Sequence, residues 1–162
     1  MPEAATLVQL TREVLAGHLP ALVAVDDEVR AELGASYSRE RWGGEEFEKD
    51  LPGKWDLSVL ALGGSSEVCA FLVASEKPGA TLYVHRFAVK PACRGRALGF
   101  TLIRALAQAG VARNLVRMAL VANRGNSAAL GFYRSLGFED APGLSPPDNQ
   151  RLEAATRRLA RL

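Results

Sequence analysis

Residues 87–99, FAVKPACRGRALG, run an apolar strand end through a proline-bearing turn and an Arg/Gly loop straight into a helix start. Such a loop aims unpaired backbone N–H groups at one point, and the positive end of the helix dipole makes that point attractive to phosphate. Arg94 and Arg96 add charge, while Gly95 and Gly99 let a bulky anion approach the backbone. Taken alone, a Gly/Arg turn before a helix also describes a solvated basic turn. The flanking segments decide between the two.

Towards the C-terminus, Leu98–Ala109 reads as a helix with a polar stripe of Thr101, Arg104 and Gln108 opposite Leu102, Ile103 and Leu106, closed by Gly110. Leu115–Val121 reads as a strand. A second helix from about Ser127 is predicted to bury Ala129, Phe132 and Leu136 and to end at Gly137. A strand, helix, strand, helix run implies a right-handed crossover with its two strands parallel. The tail from Ala141, with Pro142, Pro146 and Pro147 followed by RLEAATRRLARL, fits a helix by propensity and a terminal strand by position.

Towards the N-terminus, Thr81–Val89 is a strand, and Pro78-Gly79 turns the chain into it from a hairpin of Leu57–Leu62, GGSS and Val68–Ala74. Leu7–Leu10 suggests a first strand. Pro20 suits the first turn of a helix carrying Leu22, Val25, Val29 and Leu33, with Gly34 as its stop. The polar residues 35–54, with Trp42 and Phe47 as anchors, predict irregular structure or a short helix. The whole is an α/β (mixed α+β) fold in one domain, residues 1–162: antiparallel strands first, then a strand-helix-strand-helix unit.

Composition narrows the function classes. At 48% hydrophobic and 23% charged the chain matches an ordinary globular protein, and a net charge of +2 draws it neither to nucleic acid nor to an anionic membrane. The start MPEAATLVQL lacks the basic head and apolar run of a signal peptide, so a cytoplasmic location is expected. Cys69, read as core filler, and Cys93 suit reduced thiols better than a disulfide framework. No glycine-rich loop ending in Lys-Ser or Lys-Thr supports a nucleotide P-loop.

The loop read together with NSAALGFYRSLGFED, where Asn126 and Tyr133 lie seven apart on one helix face, resembles the GCN5-related N-acetyltransferase (GNAT) superfamily. That family's cofactor motif, Arg or Gln, two residues, Gly, one residue, Gly or Ala, corresponds to Arg94-Gly95-Arg96-Ala97-Leu98-Gly99. The likeness is clearest over 82–139. It departs at Ala97, where the family has its first Gly; an Ala already in helical conformation there would need no positive φ.

The resemblance implies an acetyl-CoA-dependent transfer to a primary amine of a small molecule or protein, without a metal, with a homodimer left open. It implies that the pantetheine arm lies on the backbone of Phe87, Ala88 and Val89, and that residues 94–99 take the phosphates. Asn126 would bond the cofactor, with a helix N-cap as its plainer reading. Tyr133 would protonate or hydrogen-bond the departing thiolate, with packing against the sheet as the alternative.

The amine must lose a proton before it attacks. His85, two residues before Phe87 and so on the same strand face by alternation, is the expected base, with Glu45, Glu46 or an ordered water as competitors. His18 is expected near a helix cap. Two other readings keep the fold: transfer of a longer acyl group or to an oxygen acceptor, and a non-catalytic CoA-binding module with a regulatory or scaffolding role.

Overall fold

The computed structural model describes residues 4–142 and 148–162. Its frame is a seven-stranded mixed sheet, β1 (Thr6–Gln9), β2 (Val59–Leu62), β3 (Val68–Lys77), β4 (Thr81–Val89), β5 (Arg117–Asn123), β6 (Glu139–Asp140) and β7 (Asn149–Ala155), in the order β1-β2-β3-β4-β5-β7-β6. β1 to β4 pair antiparallel in succession, and β4 pairs parallel with β5. β3 is an interior strand covered on both faces, which is why Val68–Ala74 is apolar at every position rather than at alternate ones.

Helices cover both faces. On one, α4 (Leu98–Ala112) seats Leu102, Ile103 and Leu106 on Leu72, Ala74, Leu82 and Met118, beside α5 (Ser127–Ser135). On the other, α1 (Arg12–Leu33) and α2 (Gly44–Glu48) bring Leu22, Val25, Val29 and Phe47 onto Leu60, Phe71 and Val73. Each such side chain contributes about 1.5–3 kcal/mol by leaving water. Two short helices complete the layers, α3 (Lys54–Leu57) packed against β3 and α6 (Thr156–Leu159) against α4.

The structure corrects several boundaries. α1 begins at Arg12, because the Thr11 hydroxyl caps it by accepting from the Val14 N–H at 3.2 Å. Pro20 therefore sits mid-helix, where the bond it cannot make would have gone to Ala16; both residues are exposed, so water can serve that carbonyl. His18 lies inside the same helix with Nδ1 at 2.8 Å from the Val14 carbonyl. α4 runs past Gly110 to Ala112.

α5 turns Leu130 and Tyr133 inward, leaving Ala129 and Phe132 half-buried. The tail is both strand and helix: Leu152 and Ala154 of β7 and Leu159 of α6 enter the core. Pro146 and Pro147 lie outside the described residues. Among those described, no helix is long and apolar enough to cross a membrane.

Candidate active site

β4 and β5 pair only through Thr81–Arg117, Leu82–Met118 and Tyr83–Ala119. Beyond Tyr83 each strand stays with its outer neighbour, β4 with β3 as far as Val89 and β5 with β7 as far as Asn123. The two strands part, and a cleft of about 1190 Å³ opens between them, lined along β4 from Tyr83 to Val89 and along β5 from Leu120 to Asn123.

The register shows which backbone groups face that gap. The Lys90 N–H bonds the Cys69 carbonyl at 2.8 Å, so the antiparallel alternation makes Phe71–Ala88 and Val73–Arg86 the hydrogen-bonded pairs of β3 and β4. Phe87 and Val89, between them, turn their N–H and C=O groups towards the missing β5 partner. The expectation of three equivalent binding residues narrows accordingly: the backbone of Ala88 is spent on β3.

A second irregularity falls in the same strand. Val73 pairs with Arg86 and Ala74 with Val84, so His85 is the extra residue of a β-bulge. The bulge breaks the alternation that was to put His85 beside Phe87. Phe87 faces α4 and α5, with ring centroids 6.5 Å from both Phe132 and Tyr133. His85 faces the α1 side, with Nε2 2.6 Å from the Ser75 hydroxyl and its ring 4.9 Å from that of Tyr83. Burial, with lesser contributions from Lys77, Lys54 and Lys49, brings its pKa down to about 4, so it is neutral near pH 7.

The Arg/Gly loop forms the cleft's other end. Gly95 and Ala97 both have positive φ, +81° and +58°, and Ala97 is the left-handed N-cap of α4. It is not helical, so the condition under which Ala would be unstrained fails. The first bond to the α4 turn is Thr101 N–H to Ala97 C=O at 3.1 Å, which leaves the N–H groups of Leu98, Gly99 and Phe100 free for an anion.

Gly99 has a second reason to be Gly. A Cβ there would stand 3.0 Å from Phe132 Cζ and 3.4 Å from Phe87 Cζ. Arg94 is held by Glu32 of α1 through contacts of 2.7 and 2.8 Å, and Arg96 is exposed and outside the cleft lining. Cys93, expected as a separate thiol, sits with its Sγ 2.6 Å from that of Cys69.

From α5, Asn126 caps the helix, its Oδ1 accepting from the Ala129 N–H at 3.1 Å, and it also lines the cleft. Tyr133 is buried against Phe87, Phe132 and Phe138, and burial pushes its pKa up to about 12. Its side chain borders the cleft. Glu46 is used locally, accepting from the Gly43 N–H at 3.1 Å to start α2, and neither it nor Glu45 lines the cleft.

On the α1 side the structure adds a buried network that the sequence reading missed. Asp26 accepts from Arg86 through Nε at 2.9 Å and Nη2 at 2.7 Å, and from the Tyr37 hydroxyl at 2.7 Å. The Arg86 guanidinium also lies over the rings of Tyr37 and Trp42 and donates to the Glu40 carbonyl at 3.1 Å. Asp26 follows Val25 on the apolar stripe of α1, and Arg86 sits inside an apolar strand. Two opposite charges at core-facing positions were the available signal. Together with Tyr83 and His85 these groups give the cleft an aromatic, hydrogen-bonding wall opposite the phenyl wall of Phe87 and Phe132.

Comparison with known proteins places this geometry. The sequence model of the Acetyltransferase (GNAT) family matches residues 24–138. No curated protein matches the chain in sequence. Among solved structures, the ribosomal-protein-S18-alanine N-acetyltransferase of Escherichia coli is similar at 19% identity with a TM-score of 0.74, covering 94% of each chain. The PaiA N-acetyltransferase of Thermoplasma acidophilum, in complex with coenzyme A, is similar at 18% identity with a TM-score of 0.76, covering 94% of this chain and 99% of the other. Ard1 of Thermoplasma volcanium is similar at 18% identity with a TM-score of 0.72, over 94% and 98%. At these identities the structural likeness is one of fold.

Proposed function

Because the chain belongs to the Acetyltransferase (GNAT) family, we propose that it moves an acetyl group from acetyl-CoA to the primary amine of a small molecule or a protein. The observation that carries the proposal is the unpaired gap between β4 and β5, with free N–H groups of α4 at one end and Tyr133 beside it. A pantetheine arm offers amide N–H and C=O groups that can take up the bonds Phe87 and Val89 lack, in place of a strand. The coenzyme A held by the Thermoplasma acidophilum protein supports the same ligand here. Its diphosphate would meet the N–H groups of Leu98, Gly99 and Phe100.

In this reading the thioester carbonyl lies in the gap, where a β4 N–H stabilises the oxygen as charge develops on it. The amine approaches from the Tyr37, Trp42 and Tyr83 side, attacks the carbonyl carbon, and the carbon–sulfur bond breaks. Tyr133, kept protonated by burial, donates to the leaving sulfur. His85 serves as a neutral hydrogen-bonding group beside Ser75, not as the base: a pKa of about 4 makes it a poor proton acceptor. The amine enters through its neutral fraction, about one part in a thousand at pH 7 for a pKa of ~10.4, and water takes the proton.

The test is a screen of small amines and peptide N-termini with acetyl-CoA, reading both thiol release and the mass of the acceptor. Stoichiometric acetylation of at least one amine supports the proposal. Tight acetyl-CoA binding with thiol release only at the rate of hydrolysis, across the whole screen, would replace it with a binding module.

A further inference from the structure

Cys69 and Cys93 lie 24 residues apart in sequence, yet their sulfurs are 2.6 Å apart, both buried. Cys69 belongs to β3, an interior strand of the sheet. Cys93 closes a 3-10 turn, Pro91–Cys93, immediately ahead of Arg94-Gly95-Arg96-Ala97. That turn is already drawn to β3 by the bond from the Lys90 N–H to the Cys69 carbonyl. A disulfide has an S–S length of about 2.05 Å, so the two sulfurs need to close by only about half an ångström to bond.

We propose that Cys69 and Cys93 are a reversible disulfide site that fastens the Arg/Gly loop to β3, with a low-molecular-weight disulfide such as oxidised glutathione as the oxidant. Cys93, which borders the cleft, is the entry point. Its thiolate attacks one sulfur of the small disulfide, forming a mixed disulfide and releasing one small thiolate. Cys69 then gives up its proton and attacks the Cys93 sulfur, closing the internal bond and releasing the second small thiol. The two cysteines lose two electrons, the small disulfide gains them, and the two protons end on the departing thiols.

Burial raises the Cys69 pKa to about 11, aided by the neighbouring Cys93, so Cys69 stays a thiol until it gives up its proton in the closing step. The fastened loop keeps Gly95 and Ala97 in their left-handed conformations and the first N–H groups of α4 aimed at the cleft.

The test equilibrates the whole protein across ratios of reduced to oxidised glutathione, quenches under denaturing conditions with an alkylating agent, and weighs the chain. The expected product is a monomer lighter by two hydrogens with neither cysteine alkylated, melting about 5–10 °C higher than the reduced form. Amide exchange over residues 90–97 should slow at least tenfold on oxidation. Cys69→Ala, or Cys69→Ser if the first does not fold, should instead hold glutathione on Cys93.

Two alkylated cysteines at every ratio, or cross-links only between chains, would overturn the proposal. Unchanged exchange over 90–97 in the oxidised form would overturn the fastening.

Discussion

The side chains of His85 and Phe87 stand on opposite faces of the sheet, although only Arg86 separates them. The bulge at His85 is the cause, and it divides the work of β4. Phe87 joins the phenyl wall with Phe132 and Tyr133, while His85 joins Ser75, Tyr83 and the Arg86–Asp26 pair on the α1 side.

This division has a consequence in acid. The folded-state pKa of His85, about 4, lies below its ordinary 6.5, so the unfolded chain takes up the proton first as pH falls. Stability is unaffected by this group above pH 6.5 and is lost progressively down to pH 4, by on the order of 2–3 kcal/mol. His85→Gln removes the titration and keeps a donor for Ser75. Melting curves between pH 7 and pH 4 should therefore fall more steeply for the wild type; parallel curves would mean that His85 folds as readily charged as neutral.

Tyr133→Phe keeps the ring against Phe87 and Phe138 and removes only the hydroxyl. If that hydroxyl donates to sulfur as charge develops, turnover falls about ten- to a thousandfold with little change in the KM for acetyl-CoA or in melting temperature. Steady-state kinetics, with product release checked by a pre-steady-state measurement, read the split. Normal turnover would leave Tyr133 as a packing residue.

At Ala97 the left-handed φ of +58° costs an L residue about 1–2 kcal/mol, part of which the extra freedom of glycine in the unfolded chain offsets. Ala97→Gly should raise stability by about 0.5–1 kcal/mol, a shift of about 1–4 °C in Tm, without weakening acetyl-CoA. Thermal melts and calorimetry check both. A lower Tm would show that the loop takes another conformation in solution.

Removing Asp26 leaves the Arg86 charge and the Tyr37 hydroxyl buried without their partner. Asp26→Ala should lose about 3–5 kcal/mol in denaturant unfolding, and the double variant with Arg86→Met should regain a large part of it, because no uncompensated charge remains. Additive losses would place the stabilisation outside the pair.

What the sequence made legible was the part carried by local chemistry. Pro78-Gly79, Gly34 and the apolar runs mark turns, a helix stop and strands within a few residues, and residues 94–99 mark the loop and the start of α4. The sequence hid what depends on pairing between distant segments. His85 looks like an ordinary alternating position until β3 fixes the register, and Ala97 looks helical by composition until the loop forces its φ. Asp26 and Arg86, 60 apart, explain each other only once α1 lies on β4. The strand β7 was obscured because RLEAAT carries helical propensity that its pairing with β5 overrides.

The central claim is that acetyl-CoA fills the gap between β4 and β5 as a surrogate strand, and amide exchange read residue by residue by NMR tests it most directly. The Phe87 and Val89 amides face the gap and should exchange rapidly in the free protein, while Ala88, bonded to β3, is protected throughout. Saturating acetyl-CoA should slow exchange at Phe87 or Val89 at least tenfold and leave Ala88 little changed. Binding that left both Phe87 and Val89 exchanging at their free rates would contradict the account.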